Sequence, residues 1–222
     1  MTEIDEVDRE LIESVDISIK SAEYEFSKLS NDILEVSGPS GKKNRIFFNN
    51  LLQITSSRLL HIANGDKGVI YSALYNNNSK VFLIDDYNSR NENTDEFMTN
   101  IELYKGNNYF RFFNDNYNNV NTQRLFKFNI FSFHASIDYN KIYTALPKFI
   151  DNMNDTFIVV YNDINWTFIL EAAKKSFNDL KLTVLFEKEI RLTNNETHTP
   201  MSIARDSWWN GIYIAVLKKN KL

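Results

Sequence analysis

Residues 59–75 read LLHIANGDKGVIYSALY, and this stretch decides the fold. Leu59 to Ala63 form an apolar run of strand length, and Asn64 to Gly68 are turn formers. Val69, Ile70, Ala73 and Leu74 then recur at helical spacing. A buried strand that feeds a helix through a tight polar turn is the opening of a βα unit.

The same alternation continues downstream. Strands are expected at Lys80 to Asp86, Tyr109 to Phe113, Phe128 to Phe133 and Thr156 to Tyr161. Helices are expected over Thr94 to Tyr104, Asp138 to Asn152 and Trp166 to Asn178, with Pro147 a point of kinking in the second. The Asn-rich segment 114–122 carries no clear period. Leu182 to Leu192 and Gly211 to Lys218 read as two long strands with no helical pattern between them, which pair antiparallel. The expectation is an α/β sheet of about seven strands, mostly parallel, with one antiparallel strand and helices on both faces.

Upstream, Ile4, Val7, Leu11, Val15, Ile19 and Ala22 recur at three- and four-residue steps among Glu, Asp and Lys, an amphipathic helix. Ser37-Gly38-Pro39-Ser40-Gly41 breaks it off. Residues 1–40 therefore read as an N-terminal helical extension and 41–222 as the main domain. A helix opened by Lys42, Lys43 and Arg45 follows, and these cations either hold an anionic acceptor or form a solvated helix face.

Composition narrows the function. The chain has 222 residues, 43% apolar and 24% charged, with net charge −4 and no cysteine. A core of this size needs no disulfide, and the absence of thiols excludes thiol catalysis and thiolate zinc sites. The acidic balance gives no strong nucleic-acid signal. No apolar run approaches the ~20 residues of a membrane span, and MTEIDEVDRE is acidic where a signal peptide is basic, so a soluble, cytoplasmic protein is expected. Abundant Asn, Ile, Lys, Phe and Tyr with scarce Gly and Pro are the residues of AT-rich codons, which points to a viral, parasitic or streamlined bacterial source, with host cytoplasm the location if it is viral.

The stretches SGKKNRIFFNNL (Ser40 to Leu51), LLHIANGDKGVIYSALY, LIDDYN (Leu83 to Asn88), FIVVYNDINW (Phe157 to Trp166), LFEKEI and WWNGIYIAVLKK together resemble a phage and marine-bacterial branch of the class I S-adenosylmethionine-dependent methyltransferases. The likeness covers most of residues 40–220. It implies a Rossmann-like methyltransferase fold and S-adenosylmethionine as cofactor. It also implies that Asp85, at the end of the second strand, accepts hydrogen bonds from the cofactor ribose. Asp86 stands beside it, and Tyr87 would pack on the adenine.

The chain departs from that pattern in its functional residues. Where the branch has Glu-x-Gly, this sequence has His61 and Ala63, and where it has the next Gly, Lys67. Gly65 and Gly68 lie close enough to serve a shifted turn, and the Lys67 side chain would lie across the pocket. The acidic cluster at the end of the fourth strand is replaced by His134, Ala135 and Ser136, with Asp138 nearby. Of the paired acids before the fifth-strand motif only Asp163 remains, beside Asn162. A divalent-metal site is therefore not expected.

His134 stands at a strand C-terminus, where it is either a general base or a strand-capping residue. Asp163 is the second candidate catalytic group. His61 is expected to be a hydrogen-bonded core residue and His198 an exposed one. Trp208 and Trp209 either stack on a ligand or pack on the last strand pair.

These readings leave two functions. One is an active methyltransferase on a small-molecule or carbohydrate-like acceptor, with catalysis by orientation. The other is a degenerate methyltransferase fold acting as a binding or assembly module, with the N-terminal helix as a homodimer surface. A nucleotide-sugar or NAD enzyme fits less well, because G-x-G-x-x-G is absent.

Overall fold

The computed structural model describes residues 4–90 and 92–220. Its centre is a seven-stranded sheet built from β1 (Arg58–Ala63), β2 (Lys80–Ile84), β3 (Tyr109–Phe113), β4 (Phe128–His134), β5 (Met153–Asn162), β6 (Leu182–Ile190) and β7 (Ile212–Lys219). The strand order is β3-β2-β1-β4-β5-β7-β6. All neighbours pair parallel except β7, which runs antiparallel to both β5 and β6.

The strands are apolar on both sides, and alternation sorts them into two cores. Leu59, Val81, Leu83, Ile130, Ile158, Ile214 and Val216 face one layer, which holds α1 (Glu6–Glu23), α3 (Lys42–Leu51) and α4 (Lys67–Leu74). Leu60, Ile62, Phe82, Phe131, Phe133, Val159 and Leu217 face the other, which holds α7 (Tyr139–Phe149) and α8 (Thr167–Asp179). Helices thus cover both faces, as the strand–helix alternation required.

Boundaries moved where capping set them. Asp138 accepts the Lys141 N–H at 2.9 Å and so caps α7, which is a local structural role for that acid. The helix ends at Phe149, and a short 3₁₀ turn, Ile150–Asn152, completes the expected span past Pro147. α6 (Thr94–Tyr104) starts under the Asn93 cap, at the expected residue. Short helices α2 (Asn31–Leu34), α5 (Tyr87–Arg90) and α9 (Met201–Ala204) had no periodic signal. The last lies between the two closing strands, where no helix was expected.

α1 is part of the core. Leu11, Val15, Ile19 and Ala22 are buried in the same cluster as α3 and the sheet. Asp8, at its start, is fully buried, bonded to Lys218 Nζ at 2.6 Å and to Thr156 Oγ1 at 2.7 Å. Val7 and Ile17 of this helix are exposed. No described helix is long and apolar enough to cross a membrane.

The Lys42–Arg45 run is not a solvated face. Lys42 pairs with Glu25 at 2.5 Å, and Lys43 pairs with Glu23. The buried Arg45 guanidinium donates to the carbonyls of Ile33, Leu34, Val36 and Ser40. Its Nε would lie 2.5 Å from a Cβ at position 68, so Gly68 serves this packing. Trp208 is buried against Phe47, with its indole N–H on Glu23 at 2.7 Å.

Candidate active site

The C-terminal ends of β1, β2, β4 and β5 converge on one rim, where open α/β sheets bind ligands. Register places Ala63 beside His134, one residue short of the turn into α4. A cleft of about 380 Å³ opens at this rim, lined among others by Ala63, Asn64, Asp85, Asp86, Arg90 and Ser136.

Asp85 is 2% exposed and lies in the floor of this cleft. Gly65, at φ +82°, turns its N–H onto Asp85 Oδ2 at 2.8 Å. The left-handed conformation suits the missing Cβ. Asp85 Oδ1 makes no aligned hydrogen bond, but Arg90 Nη1 sits 2.8 Å away as an ion pair. Arg90 also bonds Asn64 Oδ1 at 2.7 Å and Glu92 Oε1 at 2.8 Å, so it spans the cleft mouth. Burial raises the Asp85 pKa, and Arg90 with the Gly65 N–H offsets only part of that.

Other expected cofactor residues sit differently. Asp86 lines the cleft and accepts the Ser89 N–H at 3.0 Å. Tyr87 is buried among Phe97 and Phe112, at ring-centroid distances of 5.0 and 5.3 Å, with the Arg90 guanidinium over its ring at 5.0 Å. Its bulk belongs to the core, which corrects the adenine expectation. Lys67 lies near Glu92 at 4.0 Å and over the Tyr87 ring, so its side chain does not cross the pocket.

Beside the cleft is a buried three-residue charge cluster. His134 Nδ1 is 3.0 Å from Asp66 Oδ2, and Nε2 is 2.9 Å from Asp163 Oδ2. Burial disfavours the imidazolium, but Asp163 and Asp66 outweigh it and lift the His134 pKa to about 10. Burial likewise opposes charge on Asp66 and Asp163, and the imidazolium holds both carboxyls below the usual range. With a carboxylate oxygen within 3.0 Å of each ring nitrogen, both nitrogens are placed to donate. That placement favours a structural ion-pair role for His134 over the general-base reading.

The cluster is tied in at both ends. Asp66 accepts from Ser40 Oγ at 2.7 Å and caps α4 through the Val69 N–H at 3.2 Å. Asp163, at φ +63°, accepts from Asn210 Nδ2 at 2.9 Å. Among the described residues no group of three or more His, Asp or Glu is arranged to hold a metal ion.

His61 corrects a second expectation. It is wholly buried against Phe48, and neither ring nitrogen has a hydrogen-bond partner. Burial drives its pKa down to about 4, so it is a neutral core residue. His198 packs edge-on against Trp166 and contacts Asn210 at 3.3 Å.

Sequence reasoning missed Asp66 and Arg90. Asp66 had a signal, an acid three residues before Val69 at a helix start. Arg90 had none.

A sheet of this order, with β7 reversed and both faces covered, is the fold of class I S-adenosylmethionine-dependent methyltransferases. Among similar solved structures is TrmN from Thermus thermophilus (10% identity, TM-score 0.56), with 85% of this chain and 52% of that one covered. The O-methyltransferase from Bacillus cereus in complex with SAH is similar at 12% identity and TM-score 0.50, over 95% and 91% of the two chains. The cofactor-bound Rv0187 from MTB matches at 13% identity and TM-score 0.51, over 99% and 100%. This chain thus spans about half of TrmN and nearly all of the other two. No protein-family model and no curated protein matches the sequence.

Proposed function

We propose that the protein binds S-adenosylmethionine in the cleft between the β1 turn and Asp85 and transfers its methyl group to a small-molecule acceptor. The observation that carries this reading is Asp85, a buried carboxylate in the cleft floor that the Gly65 N–H holds on one oxygen and the Arg90 guanidinium pairs on the other. Two ribose hydroxyls can donate to such a carboxylate in place of the Arg90 guanidinium. The residues present thus fit the cofactor, once Arg90 yields the mouth.

When bound, S-adenosylmethionine supplies an electrophilic methyl on a sulfonium. The chain's own residues bind and orient. Gly65 fixes the Asp85 carboxylate through its N–H, and Ala63, Asn64 and Asp86 wall the cleft. His134, at the end of β4, ties the turns that follow β1 and β5 together through Asp66 and Asp163. Rate enhancement then rests on proximity and orientation.

Calorimetry with S-adenosylhomocysteine tests this. Micromolar binding is expected for the wild type. In Asp85→Ala the hydroxyl donors lose their acceptor, at about 1–3 kcal/mol, which is roughly ten- to a hundredfold in affinity. Absence of wild-type binding, or equal binding by the variant, would remove the reading.

The second reading, a catalytically silent module on the same fold, is favoured by one observation. Arg90 pairs with the carboxylate that the ribose would need. Under that reading S-adenosylhomocysteine does not bind the wild type.

A further inference from the structure

A larger cavity, about 560 Å³, lies between the Leu34–Arg45 stretch and the segment from α9 to Trp209. That volume is in the range of small-molecule sites. Its deepest cations are engaged: Arg45 with backbone carbonyls and Lys42 with Glu25. Around them stand Glu35, Ser37, Ser202, Arg205 and Asp206, all exposed. None of these five side chains makes a hydrogen bond or ion pair among the described residues. Arg205 and Asp206 are neighbours of opposite charge that do not pair.

This lining selects a chemistry. Mixed signs give no field that would favour a simple anion or cation. Arg205 only donates, Glu35 and Asp206 only accept, and the serines do both. A ligand whose every vertex donates and accepts satisfies such a ring, and hydroxyl groups have that property.

Trp209 supplies the rest. Its backbone is held at φ +58°, a conformation rare for a bulky residue and one that gathers at functional sites. The half-buried indole lines the cavity and offers a flat apolar face. A pyranose has both features, an apolar C–H face and an edge of hydroxyls.

We propose that this cavity is the acceptor site and that its ligand is a neutral sugar, stacked on Trp209 with hydroxyls on Glu35, Arg205 and Asp206. The word acceptor rests on the methyl-transfer reading; sugar binding itself does not. Ser40 joins the two regions, since it lines this cavity and bonds Asp66, whose turn borders the cofactor cleft. In the reaction a sugar hydroxyl oxygen forms the new C–O bond as the S–CH₃ bond breaks. S-adenosylhomocysteine leaves, and the hydroxyl proton passes to water.

The test uses saturation-transfer NMR on the full chain with the methyl glycosides of glucose, mannose, galactose, fucose and N-acetylglucosamine. At least one is expected to bind at millimolar concentration. Trp209→Gly is expected to weaken it about tenfold with an unchanged or raised Tm, because glycine adopts the left-handed backbone freely. Asp206→Asn, which keeps the shape, is expected to weaken it as well. Failure of all five glycosides overturns the proposal, as does binding that both variants leave intact.

Asp85→Ala separates this inference from the cofactor reading. It should weaken S-adenosylhomocysteine binding roughly ten- to a hundredfold and leave the sugar signal unchanged. Sugar binding without cofactor binding ends the methyltransferase reading alone. Cofactor binding without sugar binding ends this one alone.

Discussion

At Asp85 a buried carboxylate meets the Gly65 N–H on one oxygen and the Arg90 guanidinium on the other. Any ribose must compete with Arg90 for this carboxylate. Arg90 is partly exposed but Asp85 is buried, so removing the cation costs about 1–3 kcal/mol, which a domain of ordinary stability tolerates. Arg90→Ala is therefore expected to keep the fold and tighten S-adenosylhomocysteine binding about tenfold, as titration calorimetry would read. Weaker binding in the variant would mean that Arg90 holds the ligand and does not obstruct it. Arg90 was not visible in sequence, and of the His134 cluster His134 and Asp163 were singled out but Asp66 was not. Asp66 and His134 are 68 positions apart, and only the β1–β4 register brings them together. Asp85 was legible because the end of a strand is fixed by local pattern. Its competitor comes from a four-residue helix with no periodicity.

Elements were more legible than residues, for the same reason. Each core strand is a run of β-branched and aromatic residues bounded by turn formers, and its burial is decided within a few positions. The N-terminal region was the exception. Its helix was expected as an extension, but the apolar stripe packs on α3 and the sheet. Periodicity reveals that a helix has an apolar face and does not reveal what covers it. The fastening is the Arg45 guanidinium, which gathers the carbonyls of the Ile33–Ser40 stretch and leans on Gly68. A β-carbon there would fall 2.5 Å from Arg45 Nε, against a rigid multidentate group. Gly68→Ala, though it improves helix propensity, is expected to destabilise by about 1–3 kcal/mol. For a chain of this size that is a loss of several degrees in Tm, readable by differential scanning fluorimetry. An unchanged or higher Tm would show that Arg45 shifts freely and that the fastening is loose.

The two buried histidines give the whole molecule opposite pH limbs. His61 falls from 6.5 to about 4 on folding, because burial disfavours its charge. Between those values the unfolded chain binds the extra proton, so stability declines as pH drops from 6.5 toward 4. His134 rises from 6.5 to about 10, its two carboxylates prevailing over burial. Between those values the folded chain binds the extra proton. That stabilisation is complete below pH 6.5 and is lost as pH rises toward 10. Each limb has a limiting slope of about 1.4 kcal/mol per pH unit, the value for a full proton's difference. Tm should therefore peak near pH 6.5. His61→Leu, which replaces unpartnered nitrogens by an apolar group, should flatten the acid limb and raise Tm. His134→Gln should abolish the alkaline limb and lower Tm at neutral pH, since Asp66 and Asp163 then face each other without the cation. The alkaline limb separates two pictures of the site. A Tm that stays flat from pH 6.5 to 9 in the wild type would mean that His134 is neutral between its aspartates. It would then regain the lone pair that a general base requires.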